Sequence, residues 1–415
     1  MRKTPKLRFK EFSGDWDEKR LGDLANLTSS KRIFASDYVS EGIPFYRGKE
    51  ITELKQGKQP TDILYITNEK YDEIKSSFGV PKKNELLLTA VGTLGNSYVI
   101  RDNTPFYFKD GNLIWFQDIK VNANYLDLII SSEKGKKKIL DSAIGSTQKA
   151  LTIVELNKLK YKFPNIEEQE KIASFFSLID DKISLQSEKV EALKDYKNGM
   201  MQKIFSRELR FKDDEGRDYP KWEEKKLNEL GDTYTGLSGK TKENFGVGEA
   251  KYVIYKNVFG NTIAKEEEVD LVEINEGENQ NKVVKGDLLF TTSSETPEEV
   301  GMISCWNYDI EDLYLNSFCF GYRLFDLEQY SPIFIAYLLR SKGYRRKISI
   351  LGQGSTRYNI SKTELMKMKV SVPNIEEQRK IVGLLLGIES KIEKEQEKLY
   401  FLNEYKKGLL QQMFV

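Results

Sequence analysis

The residues able to do chemistry in this 415-residue chain are few, and most of them fail on spacing. There is no histidine, which removes the commonest general base and the commonest metal ligand. Gly239-Lys240-Thr241 ends like a phosphate-cradling loop, but the full pattern needs a glycine five residues before Gly239, and Tyr234 stands there. Asp62, Glu73 and Lys75 loosely match a nuclease carboxylate set, a spacing that chance supplies where 31% of residues are charged. The chain has no Asn/Asp-Pro-Pro-aromatic run of the kind amino-methyltransferases use to hold a base. Nor does any glycine-rich loop have dinucleotide or methyl-donor spacing. The expectation is a chain without catalytic or metal-binding residues of its own.

What survives is a pair of basic clusters at matching places. Lys134, Lys136, Lys137 and Lys138 close one predicted helix, and Lys342, Arg345, Arg346 and Lys347 close another. Each is followed by a polar turn: Gly145, Ser146, Thr147 and Gln148 in the first case, Gly354, Ser355, Thr356 and Arg357 in the second. Cations, small hydroxyls and free backbone amides are the groups that hold phosphate oxygens. A basic run can equally be a solvated helix end that complements the helix dipole, and Gly-Ser-Thr can be a tight turn. Tyr46 and Arg47, set against Tyr255 and Lys256, join the candidate set.

These groups are positioned by a repeat. Residues 164–205 return at 373–414 without a gap, with 19 of 42 positions identical, both copies opening PNIEEQ. Apolar residues follow a heptad rule in each copy. The first seam is Ile172, Phe176, Ile179, Ile183, Val190, Leu193, Met200 and Ile204; the second is Ile381, Leu385, Ile388, Ile392, Leu399, Leu402, Leu409 and Met413. Gln186 and Lys197 interrupt the first where Glu395 and Lys406 interrupt the second. A single apolar seam cannot stay in water, and matching interruptions point to two long helices that pair with each other.

The repeat extends beyond the helices. KLRFK at 6–10 resembles ELRFK at 208–212, and WDEKRLGDL at 16–24 resembles WEEKKLNEL at 222–230. ELRFK directly follows the first long helix, whereas the second ends at Val415 with no such segment after it. KLRFK at the start supplies the missing piece, so the organisation is circular and the segments near the two termini should meet. Strands are expected at 43–46, 86–89, 98–100 and 113–116, with a helix around 125–140. Between the landmarks, 25–83 and 231–284 share little: two scaffolds that agree carry two globular units that differ.

Composition bounds the partners. With 65 basic and 64 acidic residues, any nucleic-acid surface must be a local patch. Two cysteines are too few for a disulfide framework and suit a reducing compartment. No apolar run approaches the ~20 residues that span a bilayer, and MRKTPKLRFK lacks a signal-peptide core. The expected location is cytoplasmic, away from any membrane.

Two divergent domains, two repeated helices opening PNIEEQ and a GSTR-x-x-I-S segment at 354–361 resemble, over essentially the whole chain, the specificity subunit of a type I restriction–modification enzyme. The resemblance implies an α+β fold. Two mixed α/β target-recognition domains would stand in a pseudo-twofold, circular arrangement, separated by two long antiparallel coiled-coil helices. The divisions fall at 1–163, 164–206, 207–372 and 373–415. It further implies that each domain reads one half of a bipartite, asymmetric double-stranded DNA site. Two methyltransferase subunits would dock on the helices and methylate adenine with S-adenosylmethionine, and two motor-nuclease subunits would add ATP-dependent cleavage. S-adenosylmethionine, ATP and magnesium would then belong to the partners, with no cofactor in this chain. About 40 residues of unbroken helix reach ~60 Å at ~1.5 Å per residue, which caps the gap at roughly 18 base pairs of ~3.4 Å. Read from the residues alone, a coiled-coil adaptor that binds no DNA competes with this, as does a nuclease in its own right.

Overall fold

The structure is a computed structural model that describes residues 4–146 and 148–414. The chain divides into two compact units, one of residues 1–189 with 395–415 and one of 190–394. Each boundary falls inside a long helix, Ile166–Phe205 or Ile375–Met413, because each half of a helix buries its seam in the core of its own unit.

In the first unit a four-stranded antiparallel sheet runs in the order Asn26–Thr28, Leu113–Gln117, Leu86–Thr89, Ser97–Val99. The strand Leu86–Thr89 is buried along its whole length, as an apolar run covered on both faces must be. A smaller sheet orders Tyr38–Val39, Leu64–Ile66, Ile43–Tyr46 and Tyr107–Phe108, the last pair parallel. The core joins Trp16, Leu88, Phe116, Tyr125, Ile129 and Phe163 to Ile172 and Phe176, and also to Leu409, Met413 and Phe414 from the far end of the chain.

The second unit repeats this plan. Gly231–Thr235, Cys319–Leu324, Leu288–Thr291 and Ile303–Cys305 form its four-stranded antiparallel sheet in the same order. Val269–Val272, Phe245–Val253 and Leu313–Leu315 form the smaller one, again closed by a parallel pair. A third sheet pairs Tyr358–Ile360 with Ser293–Ser294 and Gly352–Gln353. The segments that share little sequence thus share a topology, since burial pattern and not residue identity fixes strand order. The core joins Leu288, Phe320, Phe334 and Leu338 to Met201, Ile204, Ile381 and Leu385.

The seam is sheltered throughout. Every heptad residue named above is buried or half-buried, although Met201 is more deeply buried than its neighbour Met200. The helices run antiparallel within each unit. In the first, Gln186 Nε2 donates to Glu395 at 2.7 Å, and Lys406 pairs with Asp180. In the second, Lys197 pairs with Glu389. Gln186, Lys197 and Lys406 therefore each meet a carboxylate on the facing helix, and for Gln186 that carboxylate is the matching interruption Glu395.

PNIEEQ builds the same socket twice. Asn165 Oδ1 caps the Glu168 N–H at 2.9 Å, and Asn374 caps the Glu377 N–H at 3.0 Å. The fully buried carboxylates Glu168 and Glu377 take the guanidiniums of Arg8 and Arg210 at 2.7 and 2.6 Å. Each carboxylate holds its arginine's pKa above the usual value, chiefly through that hydrogen bond. Gln169 Oε1 accepts the backbone N–H of Asn122 at 3.1 Å, and Gln378 Oε1 that of Ser331 at 2.8 Å. The circular reading holds in the backbone as well. The N–H groups of Lys6 and Leu7 donate to the Gln412 carbonyl at 2.9 and 3.0 Å, as Leu209 N–H donates to the Lys203 carbonyl at 3.0 Å.

Two expectations shift. The helix anticipated around 125–140 is two helices, Ala123–Ser131 and Glu133–Asp141, broken at Ser132 with ψ 153°. Ser132 Oγ caps the second through Gly135 N–H, and a Cβ at Gly135 would lie 1.8 Å from the Ile129 carbonyl. Pro332–Arg340 and Lys342–Ser349 break at Ser341 in the same way. The strand anticipated at 98–100 is Ser97–Val99.

Candidate nucleic-acid interface

The basic clusters lie on the second helix of each of these broken pairs. Lys134, Lys136 and Lys137 are exposed on Glu133–Asp141, and no hydrogen bond or ion pair among the described residues engages their ammonium groups. Lys138 differs: its Nζ donates to the Lys160 carbonyl at 2.9 Å and lies 5.0 Å from the centre of the Tyr161 ring. Burial, the largest cause, lowers its pKa. On Lys342–Ser349, Lys342 and Arg346 are exposed in the same free manner, and Lys347 lies over the Tyr344 ring at 4.7 Å. Arg345 leaves the set of phosphate candidates. Its guanidinium donates to the carbonyls of Glu298, Val300 and Gly301 at 2.6–2.8 Å, and burial lowers its pKa to about 10. It is a clamp on the loop that carries Glu299.

The glycines Gly145 and Gly354 open hairpin tips. Gly354–Arg357 links Gly352–Gln353 to Tyr358–Ile360, and Gly145, Ser146 and Gln148 sit inside the Ile144↔Ala150 bridge. Both glycines need positive φ, +132° and +112°, and a Cβ there would lie 2.1 and 2.4 Å from the carbonyls of Arg357 and Gln148. Ser146, Gln148, Ser355, Thr356 and Arg357 are exposed; Thr147 lies outside the described residues. The Arg357 guanidinium rests 5.5 Å from the centre of the Phe318 ring, which is itself exposed.

Each unit holds an open cleft beside the end of its central strand. In the second unit it measures about 560 Å³, and its walls include Tyr255, Phe259, Ser293, Glu295, Thr356 and Arg357. In the first it measures about 570 Å³, between Gly48–Lys55 and the turn after Thr89. Arg340 stiffens the second cleft from below, donating to the carbonyls of Val258, Phe259 and Asn261 at 2.8–2.9 Å. Tyr255 Oη donates to the Ser293 carbonyl at 2.6 Å. Tyr46 ends a strand and Arg47 is the N-cap of Gly48–Lys55, whereas Tyr255 and Lys256 open the helix Tyr255–Gly260. The two pairs therefore occupy different positions in their strand–helix junctions. Arg47 is already engaged with the buried carboxylate of Glu50 at 2.5 Å, while Lys256 is exposed and has no side-chain hydrogen bond or ion pair among the described residues.

The weaker sequence motifs are used internally. Lys240, in Gly239-Lys240-Thr241, has a buried side chain and meets Glu278 at 2.5 Å. That contact, with hydrogen bonds from Gln280 and the Asn275 N–H, lowers Glu278 to about 2. Asp62 pairs with Lys49 at 3.1 Å and Glu73 with Lys70 at 2.9 Å. Among the described residues no helix is long and apolar enough to cross a membrane.

Glu295, Thr93 and Phe318 were not singled out in the sequence. Their role depends on which strands pair, and no local pattern announces that.

The family described as type I restriction modification DNA specificity domain matches residues 13–195 and again 219–402. A similar chain is the type I restriction enzyme MjaVIII specificity subunit of Methanocaldococcus jannaschii, 25% identical over 420 residues, covering 97% of this chain and 94% of the other. Among solved structures, the S subunit of a type I restriction–modification system from M. genitalium aligns with a TM-score of 0.56 at 16% identity over 99% of both chains. A chain from a structural study of the assembly and conformational transition of the type I system aligns at 0.59 with 15% identity, covering 96% of this chain and 97% of that one.

Proposed function

Because the chain belongs to the type I restriction modification DNA specificity family, we propose that it is the DNA-reading subunit of such a system, each unit reading one half of a bipartite duplex site. The observation that carries this is one plan used twice with different contents. The same socket, broken helix pair and hairpin tip recur around clefts whose linings differ. Lys134, Lys136, Lys137, Lys342 and Arg346, with Ser146, Ser355 and Thr356, hold phosphates; the clefts face bases. Chemistry resides in partner subunits. Methyltransferase subunits dock on the outward faces of the long helices, where Tyr196, Tyr400, Phe401 and Tyr405 are exposed. S-adenosylmethionine, ATP and magnesium act in those partners and in the motor-nuclease subunits.

The test is salt dependence. Changing Lys134, Lys136 and Lys137 together to Ala should weaken binding to cognate and unrelated duplexes by similar factors. It should also reduce the slope of log K against log salt by about one unit per lost phosphate contact. An altered recognition motif with an unchanged slope would contradict the assignment. Methylation by the isolated chain supplied with S-adenosylmethionine would place the chemistry here instead.

A further inference from the structure

Ser293 and Ser294 pair antiparallel with Asn359 and Tyr358. One more step in that register sets Glu295 opposite Arg357, just beyond the ladder and on the wall of the second unit's cleft. Glu295 and Arg357 both line that cleft, where an ion pair between them would be the expected neutralising contact. Yet none forms: Glu295 has no ion pair or hydrogen bond among the described residues, and Arg357 lies on the Phe318 ring. Two complementary charges thus line one open cleft without an ion pair between them among the described residues.

The first unit presents a different pair at the same place. Ile360 N–H donates to the Thr292 carbonyl at 2.9 Å, and Leu151 N–H to the Ala90 carbonyl at 2.9 Å. Counting three residues outward from these matching bonds reaches Arg357 and Glu295 in one unit, and Gln148 and Thr93 in the other. Gln148 and Thr93 are both exposed, and Thr93 lines the first cleft. By position, the charged residues Arg357 and Glu295 of one unit therefore correspond to the neutral Gln148 and Thr93 of the other.

We infer that Arg357 and Glu295 form a base-reading fork for a G·C pair in the major groove, with Gln148 and Thr93 its counterpart for an A·T pair in the other half-site. Guanine offers O6 and N7 to an arginine, and cytosine on the same pair offers the N4 amino group to a carboxylate. A glutamine matches the N6 and N7 edge of adenine. The inference rests on the DNA-reading function proposed above and names the residues that give it sequence.

The experiment expresses the full chain with its methyltransferase partners, as wild type and as Glu295→Gln, Arg357→Gln and Gln148→Arg, and sequences the methylated motifs. Exposed, conservative replacements at these sites leave the cores intact. The expected result is a single G·C position in one half-site relaxed roughly ten-fold by Glu295→Gln or Arg357→Gln, with the other half-site unchanged. Gln148→Arg should alter one position of that other half-site. An unchanged motif in all three variants overturns the inference. So does a loss of binding by Arg357→Gln that is equal on every duplex and lowers the salt slope by about one, the mark of a phosphate contact. If the wild-type complex methylates no specific motif, the DNA-reading function itself fails.

Discussion

At the scale of single residues, the two sockets differ in one informative respect. Glu377 accepts from Trp222 Nε1 at 3.2 Å as well as from Arg210, whereas the equivalent Trp16 Nε1 is buried without a partner among the described residues. Removing an arginine strands a buried carboxylate, which costs about 3 kcal/mol or more. Arg8→Ala should show that loss in denaturant unfolding. Arg210→Ala should lose roughly 1 kcal/mol less, because Trp222 still donates to Glu377. Equal losses would mean that the indole contributes nothing. Glu395 makes a second residue-scale prediction. Hydrogen bonds from Gln186, Lys189 and Lys398 lower its pKa to about 2 from the usual carboxylate range. A carboxylate whose pKa is depressed on folding stabilises above its unfolded value, ~4.3, and that contribution fades as pH falls toward about 2. The wild type should therefore melt above Glu395→Gln near pH 6, and the gap should narrow below about pH 4 and close only below about pH 2. Neither effect is legible in the sequence. PNIEEQ marks the glutamate as repeated, but its arginine stands 160 residues away in one copy and 167 in the other.

At the scale of elements, the long helices were the most legible part of the chain, since a heptad pattern states which face must be covered. Leu385, on the seam, is fully buried in the core of the second unit, while Leu178, off the seam of its helix, is two-thirds exposed. Leu385→Ala should cost about 3 kcal/mol and Leu178→Ala less than ~0.5, as read from thermal or denaturant unfolding. Similar losses would mean that the seam is not what holds the helices. The break at Ser132 was not legible. The run 123–141 stays helix-forming on both sides of it, and only the close approach of Gly135 to the Ile129 carbonyl shows why one helix cannot continue. The hairpin tips lie between these extremes: Gly-Ser-Thr reads as a turn, but the need for glycine comes from the carbonyls facing it. Gly354→Ala should therefore leave the melting curve within a few degrees of wild type. It should displace Arg357 and weaken DNA binding, which a melting scan and a duplex titration would separate.

At the scale of the whole molecule, the repeated parts hold the divergent parts through an apolar core and through hydrogen bonds to main chain. Gln169 and Gln378 grip the N–H groups of Asn122 and Ser331, whatever side chains follow on those helices. The segment near the N-terminus completes the first unit through the Gln412 carbonyl, again by backbone N–H groups. A socket that reads main chain accepts a reader of different sequence, provided its inward residues stay apolar. This explains why the circular repeat was visible while the reader topology was not: the socket needs particular residues, and the readers need only a burial pattern. It also makes the two readers exchangeable one at a time. Replacing residues 25–145 with the matching segment of a relative should change one half of the recognised site and leave the other unaltered, with the methylated motif as readout. The outcome follows because each unit has its own core and its own cleft, and because Arg8, Glu168 and Gln169 lie outside the exchanged stretch. A change in both half-sites would mean that recognition is a joint property of the two units, and that neither cleft reads alone.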